Sequence, residues 1–291
     1  MSRNNYDKPQ TGEQALRWAV CFLEQKGFEI EQAKHEARLL LAKVWQKEMI
    51  QVLLNAKSEL NQEVWEKYVF FVKERGSFAP LHYLLEEKEF MSLPFKVSPS
   101  VLIPRWDTEV LVEEALKLMK DQVNPKILDL GTGSGVIAIS IAYYLPQAEV
   151  VATDISAEAL KVAEVNAKSL GVSERVRFLK GSLYTPIIQA QAGKFDLIAS
   201  NPPYLSAEEM VALSPDVKKE PAIALAGGKD GLQFYRNIAL QAKNYLAPGG
   251  HVLVEIGYQQ AMSVIGIMQK WGLTPLRILR DLEGRDRVVA Y

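Results

Sequence analysis

The sequence predicts an α/β fold: a seven-stranded, mostly parallel sheet with its last strand antiparallel, preceded by a small N-terminal helical bundle and a connecting β-hairpin. Three observations predict it. Residues 11–75 keep a helical period of apolar positions, residues 78–104 lose it, and beyond Arg105 short β-rich runs alternate with helical segments. That alternation is the pattern of a parallel sheet covered by helices. A length of 291 residues suits two domains. We expect a helical domain over 1–77, a linker hairpin over 78–104 and a larger α/β domain over 105–291.

In the helical part, Thr11 and Gln14 make a capping box, Leu16, Ala19, Val20 and Leu23 recur at spacings of three and four, and Gly27 supplies a stop. A second helix carries Ala33, Ala37, Leu40, Leu41 and Val44 on one face. A third, from Asn61, carries Val64, Tyr68, Phe71 and Val72 and ends at Gly76. Trp18, Trp45 and Trp65 are read as core rather than as a ligand platform. The extended runs 88–91 and 95–97 flank a turn at Ser92-Leu93-Pro94, which makes a hairpin.

The strands that follow are expected over 126–130, 149–154, 176–180, 195–200, 251–256, 275–279 and 287–291. Helices are expected over 136–145, 157–170, 231–246 and 259–271. The last two strands are joined by residues 280–286, too few for a crossover helix, so they pair antiparallel. Seven strands with this reversal describe the methyltransferase variant of the doubly wound fold.

Composition narrows the function classes. Hydrophobic residues make up 48% and charged residues 24%, enough for a sizeable core. The net charge of -1 provides no global pull toward nucleic acid or an anionic membrane, so no direct nucleic-acid partner is expected. No apolar run reaches the ~18 residues of a membrane span, and residues 1–10 are polar without a signal-peptide core. We therefore expect a cytoplasmic protein with no membrane association. Cys21 is the single cysteine, which rules out an intrachain disulfide and reads as a buried small hydrophobe. His35, His82 and His251 lack metal-ligand spacing, so no metal site is expected. Nucleophile-elbow and phosphate-loop sequences are missing too.

The first chemical motif runs from Ile127 through Gly131-Thr132-Gly133-Ser134-Gly135. A strand enters a glycine-rich turn that lets the backbone approach a ligand, ahead of a helix N-terminus with unpaired N–H groups. Val136 stands where a dehydrogenase fingerprint would place its third glycine, so the spacing is GxGxG. Asp154 closes the second strand, where its carboxylate either accepts both hydroxyls of an adenosyl ribose or caps the next helix. With the glycine turn, the nucleoside reading is preferred, and Ile155 is included beside it.

The second motif, Asn201-Pro202-Pro203-Tyr204, follows the fourth strand at the carboxyl edge, where open α/β sheets bind ligands. Consecutive prolines hold the backbone extended. The Asn201 side-chain oxygen and the Pro202 carbonyl can take the two N–H bonds of a planar NH2 group and leave its lone pair for a methyl donor. Tyr204 packs on the planar acceptor. Asn201, Pro202 and Tyr204 are thus the candidate catalytic residues, and Pro203 joins them as a substrate-binding position. The bland reading is a proline turn that ends a strand.

With those residues in view, the chain resembles the protein-(glutamine-N5) methyltransferases that modify peptide chain release factors. Matches occur in order at 36–40, Phe90, 95–97, 101–105, 107–109, 129–135, Asp154, 201–204, Glu220-Pro221, 228–232, 255–257 and 280–282. The resemblance implies that Gly131, Thr132, Gly133, Ser134, Gly135 and Asp154 bind S-adenosyl-L-methionine, which leaves as S-adenosyl-L-homocysteine. It also implies that 201–204 bind the glutamine of a Gly-Gly-Gln motif in class 1 release factors, and that the helical domain docks that partner. Arg105, Thr108 and Glu109 are expected near the mouth of the site.

Two positions depart from the family: Trp106 replaces a usual proline, and Gly181-Ser182-Leu183 stands where an acidic residue commonly follows the third strand. Ser182 and Leu183 are expected there as cofactor contacts. Three other readings share the motifs: a methyltransferase for ribosomal-protein glutamine, one for DNA adenine reached by base flipping, and a non-catalytic nucleoside binder.

Overall fold

The computed structural model describes residues 10–190 and 192–291. The N-terminal segment read as polar lies, up to residue 9, outside the described residues. The chain divides into two compact units between Glu86 and Glu87, and each is described by itself.

The first unit contains α1 (Gly12–Gln25), α2 (Ile30–Trp45), α3 (Met49–Leu54), α4 (Gln62–Gly76) and α5 (Leu81–Leu85). The Thr11–Gln14 capping box is present and Gly27 takes φ +93° as the chain leaves α1. Ala15, Ala19 and Leu23 of α1 pack with Ala33, Ala37, Leu40 and Leu41 of α2 and Tyr68 and Val72 of α4. Each fully buried Leu or Val contributes roughly 1.5–3 kcal/mol. Inside this bundle the Arg75 guanidinium grips Glu36 at 2.6 and 3.1 Å, both side chains being buried.

One detail differs from expectation. Cys21 is exposed, because its place on α1 falls outside the stripe formed by Ala15, Ala19 and Leu23. Helix α4 ends at Gly76 as expected, and a Cβ there would meet Phe22 Cε1 at 2.6 Å, so the glycine also lets α1 approach. The three tryptophans, half-buried, pack against this core as expected, Trp18 and Trp65 meeting edge to face at 4.9 Å.

The second unit opens with a hairpin, β1 (Glu87–Phe90) and β2 (Leu93–Lys96). Its turn is Met91-Ser92, both at positive φ, rather than the expected Ser92-Leu93-Pro94, of which Leu93 and Pro94 already belong to β2. A two-residue turn of this hand matches the twist of the strands. Pro94 sits in β2 opposite Glu89, a pair next to the closing one, where no ladder N–H is needed.

The remaining elements are α6 (Glu109–Met119), β3 (Lys126–Leu130), α7 (Val136–Tyr144), β4 (Glu149–Asp154), α8 (Ala157–Ser169), β5 (Val176–Lys180), α9 (Thr185–Ala190), β6 (Phe195–Ser200), α10 (Ala207–Ala212), α11 (Gln233–Tyr245), β7 (Leu246–Glu255), α12 (Ala261–Lys270), β8 (Arg277–Arg280) and β9 (Asp286–Ala290). The sheet order is β5-β4-β3-β6-β7-β9-β8. The first four pairings are parallel, and β9, the last strand in the chain, inserts antiparallel between β7 and β8.

Residues alternate between two cores, one on each face. Ile127, Leu197 and Leu253 enter one with α6 and α7, while Leu128, Ile198 and Val252 enter the other with α11 and α12. Helix α7 is apolar all round and buried from Val136 to Ala142, as its position against the sheet requires. The order places the ends of β3 and β6 side by side, so the two motifs emerge together. No helix of the described residues is long and apolar enough to cross a membrane.

Candidate active site

The glycine turn is built as its sequence demands. Gly131, Gly133 and Gly135 all take positive φ, +76°, +57° and +86°. A Cβ on Gly131 or Gly133 would meet no protein atom within 4 Å, and both residues line a cavity of about 280 Å³. Gly135 has a different reason: a Cβ would meet Ile139 Cδ1 at 2.5 Å and Ala163 Cβ at 3.1 Å. Thr132 and Ser134 are buried behind the turn. The Thr132 hydroxyl donates to Asp129 Oδ2 at 2.6 Å, and the Ser134 carbonyl accepts from Asn166 at 2.9 Å. Burial pushes the Asp129 carboxyl up to about 7, against the lowering effect of the Thr132 hydroxyl and the Ala138 N–H that it accepts. Its Oδ1 is buried without a partner among the described residues.

Asp154 stands at the cavity wall and accepts the Gly133 N–H at 2.9 Å and the Ser156 N–H at 2.8 Å, one on each oxygen. The N-cap of α8 is Ser156, so the Asp154 carboxylate is a neighbour of the cap and keeps lone pairs toward the cavity. Ile155, Ser182, Leu183 and Asn201 line the same space, whereas Thr132, Ser134 and Gly135 do not. Sequence reading missed the opposite wall, which includes Ser100–Leu102, Ile223 and the α11 residues Gln233, Phe234 and Asn237. The three α11 residues share one helix face by the i, i+3 and i+4 rule; nothing in their types marks them as ligands before that helix is placed.

At the Asn201-Pro202-Pro203-Tyr204 segment, Ser200 Oγ donates to Leu130 O at 2.7 Å and ties the end of β6 to β3. The backbone behind the motif is packed tightly. A Cβ on Gly227 would come within 2.8 Å of Pro203 O and Tyr204 Cα, and one on Gly231 would collide with Tyr204 O. Gln260 Nε2 donates to Tyr204 O at 2.9 Å while its Oε1 accepts from Gly257 N at 3.0 Å. Burial raises the Tyr204 hydroxyl well above its ordinary value and keeps it neutral.

Asn201 donates from Nδ2 to Thr108 Oγ1 at 3.0 Å, and neither its Oδ1 nor the Pro202 carbonyl accepts a hydrogen bond among the described residues. A second cavity of about 160 Å³ is lined by Arg105, Asn201, Tyr204 and apolar residues that include Leu205 and Leu225. Asn201 is common to both cavities. Buried Glu220 accepts from Ile103 N at 3.0 Å and Arg105 Nη2 at 2.5 Å, which fixes the chain at 103–105. Of the expected mouth residues, Arg105 lines the second cavity, Thr108 contacts Asn201, and Glu109 accepts the Met91 N–H at 2.6 Å to hold the hairpin turn. Trp106 is exposed, with Lys88 Nζ 4.2 Å from the centre of its ring.

The methyltransferase small domain family model matches residues 107–217, and the PrmC N-terminal domain model matches residues 14–85. The chain is 41% identical to the release factor glutamine methyltransferase of Geobacter sulfurreducens, over 97% of this chain and 98% of that one. The chain belongs to the release factor glutamine methyltransferase family. The relative from Moorella thermoacetica is 41% identical over 94% of this chain and 95% of its own, and that from Clostridium acetobutylicum 39% over 87% and 89%. The catalytic domain of hMettl16 shares the fold at a TM-score of 0.56 and 15% identity, covering 74% of this chain and 82% of its own.

As a member of this family the protein uses S-adenosyl-L-methionine, and its larger cavity suits that group. The space at Gly131 and Gly133 would admit a ligand against the backbone, and the Asp154 carboxylate in the same lining would have lone pairs left for ribose hydroxyls. Ile155, Leu102 and Leu183 line the same cavity and would suit an adenine ring by their apolar surface. Ser182 adds a hydroxyl to the lining, and Leu183 is held at φ +46°.

Proposed function

We propose that this methyltransferase transfers a methyl group from S-adenosyl-L-methionine to the side-chain amide nitrogen of the glutamine in the Gly-Gly-Gln motif of class 1 release factors. The observation that carries this reading is the place of Asn201, common to both cavities, with its Oδ1 and the neighbouring Pro202 carbonyl free of protein partners.

The cofactor supplies an electrophilic methyl on a sulfonium sulfur, which keeps the electron pair of the broken C–S bond. The protein's task lies with the nucleophile, an amide nitrogen whose lone pair is delocalised. Two acceptors, Asn201 Oδ1 and Pro202 O, take its N–H groups, restrict rotation and expose the nitrogen face toward the donor. Tyr204, kept neutral by burial, offers a ring to the planar amide. The nitrogen-protonated product amide is a strong acid, so it loses its proton to water without a dedicated base. The small, largely apolar second cavity fits an uncharged side chain.

The helical unit docks the release factor in this reading, supported by exposed Ile50, Leu53 and Leu54 on α3. The work is cytoplasmic, where release factors act, and needs no direct nucleic-acid contact. The test incubates the purified protein with labelled S-adenosyl-L-methionine and three acceptors: a release factor, the same factor with its motif glutamine replaced by alanine, and duplex DNA. Label in the first alone is expected. Label in DNA, or label that survives the replacement, rejects the reading.

A further inference from the structure

We propose that Thr108 and Glu255 are positioning residues that fix which end of the Asn201 amide meets the acceptor. The proposal rests on the glutamine reading above, which gives the orientation of that amide its importance. Three groups lie in one directed chain. Asn201 Nδ2 donates to Thr108 Oγ1 at 3.0 Å, and Thr108 Oγ1 donates to Glu255 Oε2 at 2.6 Å. Thr108 and Glu255 are both buried.

The direction follows from proton counting. A threonine hydroxyl has one hydrogen and spare lone pairs, and an ionised carboxylate only accepts. Glu255 therefore claims the hydroxyl hydrogen, and Thr108 presents lone pairs alone to Asn201. The asparagine NH2 end satisfies them. The opposite amide orientation would set two oxygens against each other in a buried place, with an unmade hydrogen bond on each. So Oδ1 is turned away from Thr108 and left to accept an N–H of the substrate.

The parts are held from several elements. Thr108 closes the short turn Trp106–Thr108, whose Asp107 meets Arg287 at 3.0 Å, and Arg287 also holds Asp281 at 2.9 Å. Glu255 ends β7, paired with Val288 of β9, and its carbonyl accepts from Tyr235 at 2.9 Å. The groups facing its carboxylate are Thr108, Asp107 and Arg105 from the turn side, Arg287 from β9, Tyr204 from the motif and Tyr235 from α11. Burial, the dominant influence, raises the Glu255 carboxyl to about 7. Once protonated, Glu255 can itself donate to Thr108, which frees the hydroxyl hydrogen and removes the demand on the Asn201 amide.

The experiment compares the full-length wild-type protein with Thr108→Val, Thr108→Ser and Glu255→Gln. It measures kcat and KM for the release factor, affinity for S-adenosyl-L-homocysteine, and the Asn201 side-chain NH2 resonance in protein labelled with 15N-asparagine. Thr108→Val is expected to lower kcat by about tenfold to a hundredfold while the cofactor product binds within about twofold of wild type. Thr108→Ser, which keeps the hydroxyl, restores kcat to within about threefold. The wild-type resonance shifts with an inflection near pH 7 that Glu255→Gln lacks, and kcat rises across the same range only in the wild type.

An unchanged kcat in Thr108→Val, a serine variant as impaired as the valine one, or an Asn201 resonance indifferent to both substitutions overturns the proposal. The resonance needs no acceptor. If it behaves as expected while no release factor is methylated, the substrate reading fails and the positioning chain stands.

Discussion

Replacing Glu255 by glutamine should make the protein more stable above neutrality while impairing its chemistry. In the folded chain the carboxyl titrates at about 7, against 4.5 as its ordinary value, with burial as the main cause. A folded-state value above the unfolded one means that the native protein holds the proton more tightly. That stabilisation is complete below about pH 4.5 and is lost as pH rises to about 7. The displacement corresponds to about 3 kcal/mol. Glutamine does not titrate, so the variant should match the wild type near pH 4.5 and exceed its stability by up to about 3 kcal/mol at pH 8. For a unit of this size that is a rise of roughly 6–12 °C in Tm. Thermal and urea unfolding from pH 4.5 to 8 measure it, and the difference should open between those limits. A wild-type-minus-variant difference that stays constant with pH would refute the reasoning.

The same substitution should remove the neutral-pH inflection in kcat, so stability and activity move in opposite directions. Asn201→Ala should leave S-adenosyl-L-homocysteine binding within about twofold by calorimetry while methyl transfer falls by about two orders of magnitude or more; unchanged turnover removes Asn201 from the chemistry. Gly227→Ala should displace the Pro203–Tyr204 backbone from its 2.8 Å approach, with a destabilisation of about 1–3 kcal/mol and a loss of turnover, read from unfolding curves and kinetics. In the helical unit, Arg75→Met leaves the Glu36 carboxylate buried and unpaired. Its amide hydrogen exchange should show α2 and α4 weakened by about 3–5 kcal/mol, and Glu36→Gln added to it should recover part of that loss.

Much of the architecture was legible because it depends on local periods. The strands over Lys126–Leu130, Glu149–Asp154, Val176–Lys180 and Phe195–Ser200 lie where alternating or continuous apolar runs put them. Helix α6 is not legible in the sequence, because Glu109–Met119 follows a proline-rich approach and carries glutamates at 113 and 114 amid its apolar positions. Glu114 is buried and bound by Arg277, a contact across 163 residues that inverts the usual reading of a charged position. Cys21 shows the reverse error: its residue type suggested burial, but the phase of the helix faces it outward.

The chemistry on offer is written in local residues: glycines able to take positive φ at 131, 133 and 135, a carboxylate at Asp154, and an amide followed by two prolines at Asn201. Each is a property of a residue and its immediate neighbours. Which of them meet is a matter of the folded chain. Sheet order set the ends of β3 and β6 side by side, and Asn201 was brought to Thr108 across 93 residues and Thr108 to Glu255 across 147. Hydrogen bonds act over about 3 Å, so a relation of this kind exists only after the chain has folded.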